Sequence, residues 1–177
     1  MVSIEIIALV LTGLSITVSI LYYSSVLRNS NKTQQMQLET RQAQLFMNVY
    51  STFTSYEFKK QWNTVMHVWQ WDDETEFNSR YGYENPIEFT KIDVVATFFE
   101  GIGVLVKRGL VDISFVDDLM SAHIVTSWEK FKPMIENWRE RDNNPQLSEW
   151  WEYLYNEVKP IMEDQHPEIV GKRIGRL

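Results

Sequence analysis

The first apolar stretch of the chain runs from Ile6 to Leu27 and contains 22 residues without a charged side chain. A helix of that length spans about 33 Å, and the hydrocarbon core of a bilayer is about 30 Å thick. A helix also satisfies its own backbone hydrogen bonds in lipid. The pattern therefore predicts a transmembrane anchor at residues 1–28. A signal peptide is not favoured, because no basic segment precedes the stretch and no cleavage site of small residues follows it.

All 17 lysine and arginine residues of the chain lie after Leu27, beginning with Arg28 and Lys32. Basic residues flanking a membrane helix concentrate on its cytoplasmic side. This asymmetry predicts a single-pass protein of the cell membrane with its N-terminus outside and its C-terminal domain in the cytoplasm. The first expected partner of the chain is therefore the lipid bilayer.

Small and hydroxyl-bearing residues recur within the predicted anchor. Thr12, Ser15 and Ser19 share one face of a helix, while Gly13 and Thr17 form a further small pair at a spacing of four. Such pairs let helices approach closely in lipid and form hydrogen bonds between them. They favour a homo-oligomer or contact with other membrane subunits. The alternative is that each hydroxyl group bonds back to its own helix.

After the anchor, apolar residues recur at steps of three and four, which predicts helices. Residues 29–41 contain no Pro or Gly and are expected to form a helical stalk. The fold class is all-α, with a cytoplasmic bundle of about four or five helices at residues 42–163 and a flexible basic tail at residues 164–177. After the stalk, helices are predicted at Glu57–Trp69, from after Pro86 to about Arg108, from Phe115 to about Arg141, and at Gln146–Glu163.

Particular residues mark the expected ends, bends and contacts of these helices. Gly109 suits the position after the third helix of the cytoplasmic part, and Ser114 is expected to cap the fourth. Pro133 lies inside the fourth helix and should bend it, because proline removes one backbone hydrogen bond. Gly101 and Gly103 lie within a helical pattern, so we expect them to admit a neighbouring helix.

The stretch from Trp71 to Pro86 is predicted to be a loop. Residues 72–84 contain five acidic side chains, namely Asp72, Asp73, Glu74, Glu76 and Glu84. A cation site is one interpretation of this density. The ligand spacing and the glycine of an EF-hand are absent, however, so a solvated acidic loop is favoured.

The composition argues against several classes of function. The 150 residues after Leu27 carry 17 basic and 23 acidic side chains, a net charge of −6 (17 − 23), so we expect no binding of nucleic acid. The chain has no cysteine, which excludes disulfides and thiolate ligands. The three histidines, His67, His123 and His166, follow no metal-binding spacing. We expect neither a metal nor a cofactor.

Glu100 is the residue whose position best suits a catalytic hypothesis, since it lies within the apolar sequence Phe98-Phe-Glu-Gly-Ile-Gly103. Burial raises the pKa of a carboxyl group, and a carboxyl with a raised pKa can act as an acid or base. A catalytic role would require Glu100 and His123 to face one cavity. A structural ion pair, or a hydrogen bond from a tryptophan N–H at a helix junction, is the favoured alternative.

Three segments that follow the span carry a resemblance to a known family: Phe98–Asp112, Trp128–Ile135 and Trp150–Tyr155. Over most of residues 5–160 the chain resembles domain of unknown function 4760, an uncharacterised prokaryotic family of small, often membrane-anchored helical proteins. The resemblance implies an α-helical fold and no established activity. Glu100, Gly103, Gly109 and Trp128 match its motif positions, and the resemblance assigns them no role.

Together these patterns favour a membrane-anchored, non-catalytic interaction module or an accessory subunit of a membrane protein complex. It would associate through its anchor and through an aromatic-rich helical domain. Exposed tryptophans would support the second contact, because tryptophan is enriched at binding hot spots. A bulky core is the alternative for these seven residues. Two other functions stay open: a membrane-tethered enzyme with Glu100 as acid or base, and a cytoplasmic signal relay, which needs a helix unbroken at residues 29–33.

Overall fold

The structure is a computed structural model that describes residues 3–165, and over this range it contains helices and no strand. The predicted all-α fold is therefore confirmed. The six α-helices are α1 (Ile4–Thr54), α2 (Tyr56–Asn63), α3 (Glu74–Tyr81), α4 (Pro86–Lys107), α5 (Ile113–Arg141) and α6 (Glu149–Gln165). A short π-helical turn, Thr64–Val68, follows α2 directly. His166 and the basic residues of the predicted tail lie outside the described residues.

The chain forms two compact units, which divide between Arg41 and Gln42. In the first unit, α1 contains a segment that is long and apolar enough to cross a membrane. None of that segment is buried within the described chain. The segment is therefore unlike the core helix of a soluble domain, whose apolar face packs against other elements.

The second unit is a helical bundle with a core rich in aromatic side chains. Helix α6 packs against both α4 and α5. The end of α1 contributes Phe46 and Phe53, which are each 2% exposed. Phe46 stacks on Phe115 of α5 with ring centres 5.4 Å apart, and Phe53 stacks on Phe98 of α4 at 6.1 Å. These contacts place the end of α1 within the same core as the later helices.

Between α4 and α5, the structure agrees with the sequence prediction at Gly109 and differs from it at Ser114. Gly109 follows α4 with a φ of +66°, which glycine adopts at little cost. The N-cap of α5 is Asp112, so the prediction of Ser114 is wrong. The Asp112 carboxylate accepts hydrogen bonds from the backbone N–H and the hydroxyl of Ser114, at 2.9 and 2.7 Å. A carboxylate is favoured here because its charge also interacts with the positive end of the helix.

The prediction of a loop from Trp71 to Pro86 is wrong, because α3 forms inside it. Asp73 caps this helix by accepting a hydrogen bond from the N–H of Glu76 at 2.8 Å. The helix is held by Phe77, which is fully buried, and by Tyr81, which stacks on Trp69 at 4.3 Å. Only two inward-facing aromatic residues define α3, too few to produce a helical period in the sequence. Within residues 3–165 no group of three or more side chains is arranged to hold a metal ion.

The two glycines of α4 have different surroundings. A Cβ atom at Gly103 would lie 2.1 Å from the carbonyl oxygen of Trp150, so α6 approaches α4 through this position. A Cβ atom at Gly101 would have no described neighbour within 4 Å. The expected close approach of a helix therefore occurs at Gly103 and not at Gly101.

We expect opposite effects from adding one methyl group at these positions. Gly101→Ala should raise the free energy of unfolding by about 0.5–1 kcal/mol, because alanine has the higher helix propensity. Gly103→Ala should lower it by about 1–3 kcal/mol, because the α6 backbone must move away. Urea unfolding of the full chain in detergent, followed by circular dichroism, measures both changes. A Gly103→Ala protein as stable as the parent would contradict the close contact.

Candidate functional site

Glu100 of α4 lies beside the first turn of α6 and binds its backbone. Carboxylate oxygen Oε1 of Glu100 accepts a hydrogen bond from the N–H of Trp151 at 2.8 Å, and the N–H of Trp150 is a second donor to this carboxylate. The first N–H groups of a helix have no acceptor within that helix. Glu100 therefore caps α6 from a different helix, and its negative charge faces the positive end of the helix dipole.

Opposing effects act on the half-buried carboxyl group of Glu100. Burial raises its pKa above the ordinary value, which is the largest effect. The hydrogen bonds from Trp151 and Trp150 act in the opposite direction because they stabilise the charged form. The negative charge of Glu149 adds to the rise, while the positive charge of Arg139 reduces it. The net result is a pKa of Glu100 above the ordinary value.

Arg139 of α5 completes the polar contacts at this junction. Its Nη1 atom lies 2.7 Å from Oε2 of Glu152, and its Nε donates to the carbonyl oxygen of Leu147 at 2.8 Å. Beneath these groups, the ring of Trp151 stacks on Phe99 at 5.5 Å and meets Trp128 edge-on at 5.4 Å. Polar and aromatic contacts together join α4, α5 and α6 at this junction.

His123 of α5 lies between two aromatic rings, at a centre-to-centre distance of 4.9 Å from Phe53 and 4.7 Å from Trp62. Nζ of Lys59 is 3.4 Å from Nε2 of His123. Because an ammonium group can only donate, this ring nitrogen is the acceptor and the imidazole is neutral. Burial, followed by the positive charge of Lys59, lowers the pKa of His123 to about 4.

The two residues of the enzyme hypothesis therefore make contacts with different elements. Glu100 binds the first turn of α6, whereas His123 packs against the end of α1 and against α2. Neither residue lines the cavity that Tyr83, Phe89 and Trp138 help to form. The contacts of each side chain are those of a structural residue.

A cavity of about 290 Å³ lies between α4, α5 and the segment that leads into α6. Aromatic rings form much of its wall, and its polar side chains are Tyr83, Asp93 and Ser148. This volume is close to the lower end of the range found for small-molecule sites. The cavity could not be predicted from the sequence, because its lining comes from four separate parts of the chain.

Lys130 of α5 is a structural residue that the sequence analysis missed. Its ammonium group donates hydrogen bonds to the carbonyl oxygens of Val65, Met66 and Trp69, at 2.8, 2.9 and 2.9 Å. These carbonyls lie where the π-helical turn ends and carbonyl groups lack partners within the helix. Burial lowers the pKa of Lys130 to about 8. The feature of the sequence that could have indicated Lys130 is its position between Ser127 and Phe131, two buried residues of α5.

The hydroxyl groups of the predicted anchor bond to their own helix. Thr12, Ser15, Thr17 and Ser19 each donate to the carbonyl oxygen four residues earlier, at 2.7–2.9 Å. A hydroxyl oxygen that donates in this way keeps lone pairs with which it can accept a second bond. Gly13 has no described neighbour within 4 Å of an added Cβ. Association through this face stays a prediction.

A model of the family described as a domain of unknown function, DUF4760, matches residues 4–158. The chain belongs to this family. The resemblance seen in the sequence is therefore confirmed. The DUF4760 match includes the apolar segment of α1 and continues to Val158 in α6. No curated protein and no solved structure matches the chain.

The four residues singled out by the resemblance lie at contacts between elements or at a helix end. Glu100 and Gly103 contact the first turn of α6, and the ring of Trp128 packs against Trp151 in that turn. Gly109 follows α4, and its carbonyl oxygen accepts a hydrogen bond from the side-chain amide of Gln42 at 2.7 Å. Pro133 is exposed within α5, which continues to Arg141. Glu100, Gly103 and Trp128 thus lie where α4, α5 and α6 meet.

Replacing Glu100 should separate its structural role from a chemical one. Glu100→Ala removes the acceptor for two backbone N–H groups and should lower the free energy of unfolding by about 1–2 kcal/mol. Glu100→Gln keeps an acceptor oxygen, so its free energy of unfolding should fall by less. Urea unfolding measures both, with Glu157→Ala at an exposed position of α6 as the control. An Ala variant as stable as this control would refute the capping role.

The lowered pKa of His123 predicts a loss of stability in acid. Between pH 6.5 and about 4 the unfolded chain binds a proton at this histidine and the folded chain does not, so stability falls as the pH decreases. Since the ring is half-buried, we expect about 1–2 kcal/mol from this residue. His123→Gln should lose that much less stability than the parent between pH 7 and pH 4.5.

Urea unfolding at the two pH values measures this difference. His67→Gln makes the same change at an exposed position and should behave as the parent does. If His123→Gln loses as much stability in acid as the parent, the neutral, buried state assigned to His123 is wrong.

Proposed function

We propose that this chain is a membrane-anchored, non-catalytic interaction module or an accessory subunit of a membrane protein complex. The observation that carries the proposal is the apolar segment of α1, none of which is buried by the rest of the described chain. A continuous apolar helix surface of this length requires lipid or other protein around it. The match to DUF4760 over residues 4–158 supports treating the anchor and the bundle as parts of one functional unit.

The small-residue face of the anchor supports association with a second helix in the membrane. Ser15 and Ser19 lie in a surface groove that is also lined by Ile16, Ile20 and Tyr23. A groove of small residues between larger ones allows close packing of a partner helix, and hydroxyl oxygens can accept hydrogen bonds across the contact. The partner is a second copy of this chain or another membrane subunit.

The proposal includes an orientation in the cell membrane. All lysine and arginine residues follow Leu27, which supports an external N-terminus and a cytoplasmic bundle. Protease accessibility in sealed vesicles tests this orientation. The bundle would then be positioned to act at the cytoplasmic face.

The bundle gives less support to an aromatic docking surface than the sequence suggested. None of the seven tryptophans is among the exposed residues. Their rings fill the space between helices, where large aromatic side chains bury the most area. Exposed tryptophan would have supported a second contact through the bundle. The anchor is therefore the main support for the proposed association.

A signal relay is the second candidate function, and one observation favours it. Helix α1 is uninterrupted from Ile4 to Thr54, including residues 29–33, where a break would have argued against a relay. The enzyme alternative has less support. The hydrogen bonds of Glu100 and the packing of His123 account for both residues without a reaction.

Replacing the small face of the anchor should weaken its association. In Ser15→Leu/Ser19→Leu two bulky side chains fill the groove and remove two acceptors, which should cost about 1–2 kcal/mol and so weaken association about tenfold. The measurement is the mass of the complex after gentle extraction from the native membrane, with every co-purifying chain identified. A stoichiometric foreign chain indicates an accessory subunit, and a multiple of the chain's own mass indicates a homo-oligomer.

The matched control is Ser25→Leu, which makes the same change about 100° away around the helix. This variant should associate as the parent does. A parent that extracts as a monomer, or a double variant whose complex is unchanged, would overturn association through this face.

A further inference from the structure

The cavity beside α6 has one charged side chain in its lining. Asp93 of α4 contributes a carboxylate, and no lysine or arginine lines the cavity. Asp93 is exposed, and so is Tyr83. The remaining walls include Phe131 and Trp151, which are at most 1% exposed. The cavity is thus an apolar space whose solvent-facing end carries a negative charge.

Two basic residues, Arg141 beside Tyr83 and Lys91 two positions before Asp93, are paired with other carboxylates. Arg141 binds Asp142 through two hydrogen bonds, at 2.8 and 2.9 Å. Lys91 forms an ion pair with Glu88. Asp93 has no ion pair within the described part of the chain. Its charge is therefore available to a cation from outside.

The aromatic groups of the wall are suited to a cation as well. The ring centre of Tyr83 lies 4.3 Å from that of Phe89 and 5.9 Å from that of Trp138. The faces of aromatic rings attract positive charge, and such groups of rings recognise ammonium ions. The guanidinium carbon of Arg141 lies 5.3 Å from the ring centre of Tyr83, so this ring already makes one cation–π contact within the chain.

We propose that this cavity binds a small organic cation, an ammonium ion that carries an aromatic or branched apolar group. The apolar group occupies the space lined by Phe131, Ile135 and Trp151, and the charged end faces Asp93. A volume of about 290 Å³ is close to the lower end of the range for small-molecule sites, which suits a small ligand. This site is separate from the face of the anchor, so it adds a ligand to the proposed interaction module.

Isothermal titration calorimetry of the full chain in lipid nanodiscs tests the proposal, with empty nanodiscs as the blank. The probes are 2-phenylethylammonium, neutral 2-phenylethanol and anionic phenylacetate, which share one aromatic group and differ in charge. We expect saturable binding of the ammonium ion, weaker binding of the alcohol and weakest binding of the carboxylate. Equal binding of the cation and the alcohol, or no saturable binding of the cation, would overturn the proposal.

Two variants locate the site. Asp93→Asn should weaken binding of 2-phenylethylammonium by about fivefold and leave 2-phenylethanol unaffected. Ala96→Leu fills the cavity and should weaken both probes. Asp118→Asn, an exposed carboxylate of α5 outside the lining, is the control and should bind as the parent does. Thermal unfolding of each variant checks its fold, and unchanged affinity in a folded Asp93→Asn protein would refute the role of this carboxylate.

Discussion

The contact between α4 and the first turn of α6 determines how the core of the bundle is assembled. It depends on the missing side chain at Gly103, because any Cβ there would collide with the backbone of Trp150. A close approach of this kind brings backbone N–H groups near a helix surface, where they need acceptors. Glu100, one turn earlier on α4, supplies that acceptor. Gly103 thus allows the close approach, Glu100 accepts the hydrogen bonds, and both residues lie in one turn of α4.

Much of the bundle follows from this contact. Once α6 begins beside Gly103, the ring of Trp151 is placed against Phe99 and Trp128. The same turn sets the position of Glu152, which pairs with Arg139 of α5. It also places one wall of the aromatic cavity, since Trp151 lines it. Beyond this turn, the buried face of α6 continues along the helix through Leu154, Val158 and Met162.

Elements that are determined by a local repeat of apolar residues could be predicted from the sequence. Features that depend on contacts between distant parts of the chain could not. Helices α4, α5 and α6 each repeat an apolar face over several turns, so their existence and approximate bounds could be read from the period. Helix α3 has too few turns for a period, and its stability comes from packing against Trp69 and Trp71. Glu100 was recognised as unusual, but its partners are backbone groups about 50 residues away, which leave no mark on side-chain patterns. The same reason hid the three carbonyl acceptors of Lys130.

Several ionisable side chains of the bundle have shifted pKa values and also have partners within the fold. Glu100, His123 and Lys130 have ionisable side chains with shifted pKa values, which in other proteins mark catalytic sites. In this bundle Glu100 accepts and Lys130 donates hydrogen bonds at the ends of helices, and His123 packs between two aromatic rings. By contrast, the apolar segment of α1 is not buried, and the Asp93 carboxylate at the cavity has no ion pair among the described residues. These two features are the basis of the proposed association in the membrane and of the proposed cation site.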